Sequence, residues 1–157
     1  MHASEYARAA AALVGTPFRP HGRDADGVDC GGLPLLAAQR CGYEGLRDLA
    51  HYTWHDPDSD ALLRVCRDCL DEHPLEDAGE GRIGLCAWAD QRNALVPTAP
   101  RPKHLVLMLR DHQIVHVHCQ EHVRRVVSCS ASWLTGRLLA VFRLRGVEYA
   151  APWSSLR

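Results

Sequence analysis

The chain lacks a charge of one sign. Lys and Arg number 18 against 19 Asp and Glu, for a formal net charge of −1, and the arginines are scattered rather than gathered in a block. This excludes the basic footprint that a phosphate-backbone partner requires. Also missing is any apolar run near the roughly 20 residues of a membrane span. Neither a nucleic acid nor a membrane is therefore expected as a partner. The opening Met1-His2-Ala3-Ser4-Glu5-Tyr6 is followed only by the short apolar stretch Ala9 to Val14. That stretch has neither the basic flank nor the length of a secretion signal, and synthesis as a cytoplasmic protein is expected.

A disulfide framework is absent too. The seven cysteines are an odd number without framework spacing, which favours reduced thiols. Cys66 and Cys69 form a lone CxxC within a run of helical period, and no second ligand pair has the spacing a zinc site would need. Cys41, Cys66, Cys69, Cys86 and Cys129 accordingly read as small buried hydrophobes. No metal and no cofactor is expected.

What is present suits one globular unit. With 157 residues, 46% hydrophobic and 24% charged, the chain can bury one sizeable core, giving a single domain over 1–157. Ser4 is placed to cap an alanine-rich helix ending near Val14, where Gly15-Thr16-Pro17 stops it. A loop from Phe18 to Asp29, turning at Asp24-Ala25-Asp26-Gly27, leads into a helix marked by Leu33, Leu36, Ala37 and Arg40. Pro34 is tolerated there because it lies in the first turn. A third helix is expected over about Ser59 to Asp71, after an Asp56-Pro57-Asp58 turn. Strand patterns then follow near Ile83–Trp88, His104–Arg110, Gln113–Cys119, Arg124–Cys129 and Leu138–Arg145. Helices followed by a mainly antiparallel sheet of about five strands make an α+β layout.

Cys30 stands where a glycine-rich loop turns into the second helix, in Asp29-Cys30-Gly31-Gly32-Leu33. The unpaired N–H groups and positive dipole end of a helix stabilise a thiolate. Cys30 is the candidate nucleophile. Downstream, His104 opens the run Leu105 to Leu109, and His116 lies twelve positions later. Cysteine, histidine and a polar orienting group in that order match papain-like hydrolases. Side chains alternate along a strand, so His104 and His116 share a face only if the loop between their strands has an odd length. The three-residue loop Arg110-Asp111-His112 satisfies this, pairing His104 with His118 and leaving His116 diagonally adjacent. Parity does not choose between His116 and His118. His116, His118, Cys119 and His122 also include zinc-type donors, a weaker reading than the triad.

These residues carry a resemblance. Leu13 to Leu36 resembles the nucleophile segment of NlpC/P60 cysteine peptidases, and GTPF followed by GRDADGVDCGGL is most similar to their phage-tail branch. His104 falls where the family's HVGIYLG strand begins, and His116 where the next strand ends in a histidine. Tyr52–Leu63 and Ser132–Arg145 are similar to further segments of that branch, so the resemblance covers about 5–146. It implies a papain-like NlpC/P60 fold and hydrolysis of peptidoglycan stem peptides, at a D-γ-glutamyl to diamino acid bond, by a triad of Cys30, His104 and His116. The family's twelve-residue spacing is what favours His116 over His118. Without a secretion signal, reaching a cell wall would require a carrier such as a phage tail, with tail proteins as partners and the virion as location.

Around the triad, Phe18, His21, Arg23, Asp29 and Trp88 are candidates for substrate contact. Asp29 also reads as a cap for the helix or a brace for the loop. Trp88 and Trp133 read as core or cleft-wall aromatics, with the core favoured. Phe18 stands where many family members have tyrosine. Val106 and Val117 replace small residues and would narrow the cleft, and at Gly81-Arg82-Ile83 the family's Gly-Asp is not reproduced. Two other functions stay open: a tail or scaffold component that keeps the fold without turnover, and acyl transfer or amide hydrolysis on another substrate through the same cysteine.

Overall fold

A computed structural model describes residues 1–48, 60–87, 102–120 and 122–154. Its helices are α1 (Ala3–Ala11), α2 (Gly32–Arg40) and α3 (Ala61–Cys69). The strands β3 (Asp71–His73), β4 (Ile83–Ala87), β5 (Pro102–Met108), β6 (Gln113–Gln120), β7 (Val123–Ser130) and β8 (Leu138–Arg143) form one antiparallel sheet. Their order is β3-β8-β4-β5-β6-β7. A separate hairpin pairs β1 (Arg23–Asp24) with β2 (Gly27–Val28), and 3₁₀ turns occupy Leu75–Asp77 and Ala131–Leu134. This is the expected α+β architecture. No helix among the described residues is long and apolar enough to cross a membrane.

Strand alternation divides the core in two. Leu85, Leu105, Leu107, Val115 and Phe142 face the helices and pack with Tyr6, Leu13, Leu33, Leu62 and Cys66. The opposite face carries Cys86, Val106, Met108, Ile114 and Val141 and is covered by Ala131, Leu134 and the half-buried Trp153.

Several local expectations are corrected. Ser4 does not cap α1; the N-cap is His2, whose backbone N–H donates to Glu5 Oε2 at 2.8 Å. The start of the helix is thus held by a carboxylate at the third helical position reaching back to the N-cap N–H, not by a serine hydroxyl accepting from the first turn. The helix stops at Ala11, before Val14. The main sheet has six strands rather than about five, because Asp71-Glu72-His73 pairs with β8 despite having no apolar alternation. The loop from Phe18 to Asp29 contains the β1–β2 hairpin around the expected turn. Residues 15–18 run along the free edge of β7, with Gly15 N–H donating to Val126 O, Val126 N–H to Thr16 O and Phe18 N–H to Arg124 O. The Asp56-Pro57-Asp58 turn and Trp88 lie outside the described residues.

Arg82, at the position where the family's Gly-Asp is missing, is fully buried. Its Nη2 donates to Ala150 O at 2.9 Å and lies 3.3 Å from Asp77 Oδ1, while its guanidinium sits 5.1 Å from the Tyr149 ring centre. Arg143 donates from Nε to Asp77 Oδ2 at 2.6 Å and stacks on the same ring. Burial would raise the Asp77 carboxyl, but hydrogen bonds from Arg143 and Arg82 hold it below its ordinary value. This cluster ties the segment after β8 to the start of β4. Asp77→Ala leaves a buried guanidinium without its carboxylate and should cost about 3 kcal/mol of stability in urea unfolding. An unchanged midpoint would mean that the cluster contributes nothing to the fold.

Candidate active site

The Cys30 side of the site is built around Asp29, which is buried. Its Oδ1 accepts from Gly31 N–H at 3.0 Å, Gly32 N–H at 2.7 Å and Arg23 Nη1 at 2.6 Å, and its Oδ2 accepts from His21 N–H at 3.0 Å. One carboxylate thus caps the first turn of α2 and braces the preceding loop. Gly32 permits this approach, because a Cβ there would lie 2.0 Å from Gly22 O. Cys30, immediately before the N-cap Gly31, is 1% exposed, and its Sγ lies 4.0 Å from Lys103 O. The thiol is therefore delivered to the peptide that joins Lys103 to His104.

The histidine side is the β5–β6 hairpin. Val106 pairs with His116 and Met108 with Ile114, and Leu109 N–H donates to Gln113 O. The connecting loop is Arg110-Asp111-His112, so His104 and His116 share a face on the diagonal. Their rings meet at 88°, with His104 Nε2 3.0 Å from His116 Nδ1. Opposite Cys86 and Ala87 the β4–β5 register shifts at Lys103. A bulge at that point turns the strand where it meets Cys30. His118 lies on the same face, but its Nδ1 is 3.0 Å from Val123 O. A carbonyl can only accept, so His118 Nδ1 carries a hydrogen and donates it back into the β6–β7 turn.

His104 and His116 are 0% and 2% exposed. Burial pushes the His104 imidazole down to about 3, with the neighbouring His116 and His118 adding to the effect. It pushes His116 down to about 4, with His118 again adding. Both rings are neutral at pH 7. With Nε2 of His104 directed at His116, proton exchange with a thiol falls to Nδ1 of His104. Burial also pushes the thiols of Cys66 and Cys86 up to about 12 and raises those of Cys41, Cys119 and Cys129.

The remaining candidates occupy different positions. Phe18 is half-buried against the helix-side core with the Arg124 guanidinium 5.4 Å from its ring centre. His21 is exposed at φ 55° and contributes its backbone N–H to Asp29. Arg23 donates from Nε to Asp48 and from Nη1 to Gly22 O as well as Asp29, so its guanidinium braces the loop. Val106 does not narrow a cleft: it is buried in the second cluster, and a Cβ on Gly84 opposite would meet its Cγ2 at 2.9 Å. Val117 faces the helices. Among the described residues, no group of three or more His, Cys, Asp or Glu is arranged to hold a metal.

Trp133, read as a core or cleft-wall aromatic, packs against the second core cluster and also reaches the histidine pair. It is half-buried, and its ring lies 4.8 Å from that of His116 and 5.9 Å from that of His104. Nothing in the spacing of the sequence points to this contact.

The buried imidazoles fix the sign of an acid effect. An ordinary histidine titrates near 6.5, so below that pH the unfolded chain binds protons that folded His104 and His116 refuse. Stability should therefore fall as pH drops from about 6.5 towards 4. Urea midpoints measured across that range should fall less for His116→Gln than for the wild type, and parallel curves would contradict the assignment.

No family model and no curated protein matches the sequence, but solved structures do. The chain superposes on the NlpC/P60 domain of the peptidoglycan hydrolase SagA with a TM-score of 0.58 at 18% identity, over 92% of this chain and 100% of that one. It also superposes on a lipoprotein-like member of the NLP/P60 family from Staphylococcus aureus, with a TM-score of 0.55 at 16% identity. That match covers 90% of this chain and 41% of the other. An α-helical layer carrying Cys30, set against an antiparallel sheet carrying His104 and His116, is the papain-like α+β fold of NlpC/P60 domains.

Proposed function

We propose that this chain is a cysteine peptidase that hydrolyses amide bonds in peptidoglycan stem peptides, at the D-γ-glutamyl to diamino acid linkage. The observation that carries the reading is the convergence of Cys30 on the peptide before His104, together with the 3.0 Å contact between His104 and His116. The fold shared with the domain of a peptidoglycan hydrolase supports the substrate class. The resemblance of GTPF and GRDADGVDCGGL supports a phage-tail setting, in which the enzyme travels to the wall on a virion.

In this mechanism the Cys30 thiol passes its proton to His104 Nδ1 as Sγ attacks the scissile carbonyl carbon. The carbonyl π pair moves to oxygen, to which the backbone N–H of Cys30 is assigned to donate; one such donor contributes roughly 3 kcal/mol. His104 Nε2–H donates to His116 Nδ1 throughout, which fixes the tautomer and spreads the imidazolium charge. Collapse breaks the C–N bond, and His104 Nδ1–H protonates the leaving amine. The thioester left on Cys30 is cleared by water, which His104 deprotonates. Sγ then leaves and recovers its proton.

At near-neutral pH, limiting iodoacetamide should label Cys30 before the six other cysteines, read by peptide mass spectrometry. Preferential labelling of Cys66 or Cys69 would overturn the assignment. Cys30→Ala should abolish cleavage of defined muropeptides with little change in melting temperature.

The histidines should rank by role. His104→Ala removes both thiol deprotonation and leaving-group protonation, and should leave almost no turnover. His116→Ala loses only alignment and charge stabilisation, on the order of 10²- to 10⁴-fold, with partial recovery in His116→Asn. His118→Ala should cost less than either. Silence at His116 with full loss at His118 would reverse their roles. Chelators should leave turnover and stability unchanged, and loss of both together with stoichiometric zinc would require a metal mechanism.

A further inference from the structure

We propose that Trp133, clamped by Arg137, is a positioning residue for the histidine pair: its indole face holds the plane of His116 and shuts water away from the hydrogen bond between His104 and His116. Its part in turnover rests on the peptidase reading. Its effect on the two imidazoles does not.

The indole is fixed from below. Trp133 lies in the 3₁₀ turn Ala131–Leu134, where Ser130 Oγ accepts from Ser132 N–H at 3.3 Å and Ala131 N–H donates to His112 O at 2.8 Å. Ala131 and Leu134, on either side of it in the turn, are buried in the second core cluster. It is fixed from outside as well. The Arg137 guanidinium sits 4.9 Å from the Trp133 ring centre, and Arg137 Nη1 donates to Trp133 O at 2.9 Å. Arg137 is itself pinned through its backbone, with its N–H donating to Leu134 O at 2.9 Å and its carbonyl accepting from Ala87 N–H at 2.7 Å.

The Arg137 guanidinium and the His116 imidazole thus lie 4.9 Å and 4.8 Å from the indole centre, the imidazole tilted by 31° to it, with the His104 ring 5.9 Å away at 63°. An imidazole held by one ring nitrogen can still swing about its Cβ–Cγ bond. An indole 4.8 Å away centre to centre, tilted by only 31°, restricts that freedom. It also replaces water on one side of the pair, and burial is the largest influence holding both rings neutral. Among the described residues, the titratable and charged groups around the pair include His118 on β6, Cys86 and Lys103 near His104, Cys30 from the start of α2, Arg125 opposite His118, and Arg137.

A pure core role or a substrate-wall role predicts different behaviour, and histidine titration followed by NMR in the resting protein separates them without requiring activity. Trp133→Leu should raise the titration midpoints of His104 and His116 by about one unit as water enters. It should also weaken the downfield proton of their shared hydrogen bond. Trp133→Phe should restore most of both, and Arg137→Ala should shift the midpoints the same way by less. In turnover, Trp133→Leu should lower kcat about tenfold through misalignment, with KM within about twofold, and should move the acid limb of the pH profile upward.

Unchanged midpoints and an unchanged downfield proton in Trp133→Leu would overturn the proposal, whether KM rises alone or only the melting temperature falls. Should Trp133→Leu fail to fold, Arg137→Ala decides, and no shift there is equally fatal. Shifted midpoints in a protein whose wild type and Cys30→Ala forms are equally inactive would refute the peptidase reading and leave the positioning role standing.

Discussion

The hydrogen bond between His104 and His116 depends on the length of one loop. Because strand side chains repeat every two residues, a hairpin loop shorter or longer than Arg110-Asp111-His112 by one residue would send His116 into the helix-side core and bring Val117 to the face of His104. The loop holds its length with Asp111 and His112 both at positive φ, 56° and 54°. It is tied at its base by the Leu109 to Gln113 bond and from the side by Ala131. The buried rings, their neutral state and the indole laid over them all follow from that register.

The Cys30 side depends on a comparable economy of parts. A helix start leaves several N–H groups without partners, and Asp29 takes two of them while also holding His21 and Arg23. Satisfying the helix end and folding the approach loop are thus one act, possible only because Gly32 has no side chain to keep Gly22 away. The bulge at Lys103 completes the meeting by turning the first residues of β5 towards Sγ. Each half of the site is set by short-range backbone chemistry, and the sheet brings the halves together.

Much of this was legible in the sequence, for identifiable reasons. Gly31-Gly32 and a first-turn Pro34 locate a helix start independently of any catalytic argument, and hairpin parity follows from counting. The superposed NlpC/P60 domains share the fold that the resemblance implied. What escaped had no local pattern. Asp71-Glu72-His73 has the composition of a surface turn and becomes a strand only because β8 offers an edge. The bulk at Val106 and Val117 could be judged only once the register showed which face each occupies and that Gly84 lies opposite the first. Trp133 meets histidines from two other strands through a crossing of the chain that no periodicity records.

The pairing of residues 15–18 with β7 has a mechanical meaning. On one edge β7 is bonded along its length to β6, which carries His116. On its other edge it is bonded to the segment that leads into the Cys30 loop. A single strand is therefore the common spine of Cys30 and the histidine pair, reached from opposite sides. Motion of that strand carries both partners with it, so the distance between them is buffered against fluctuations that move the spine itself.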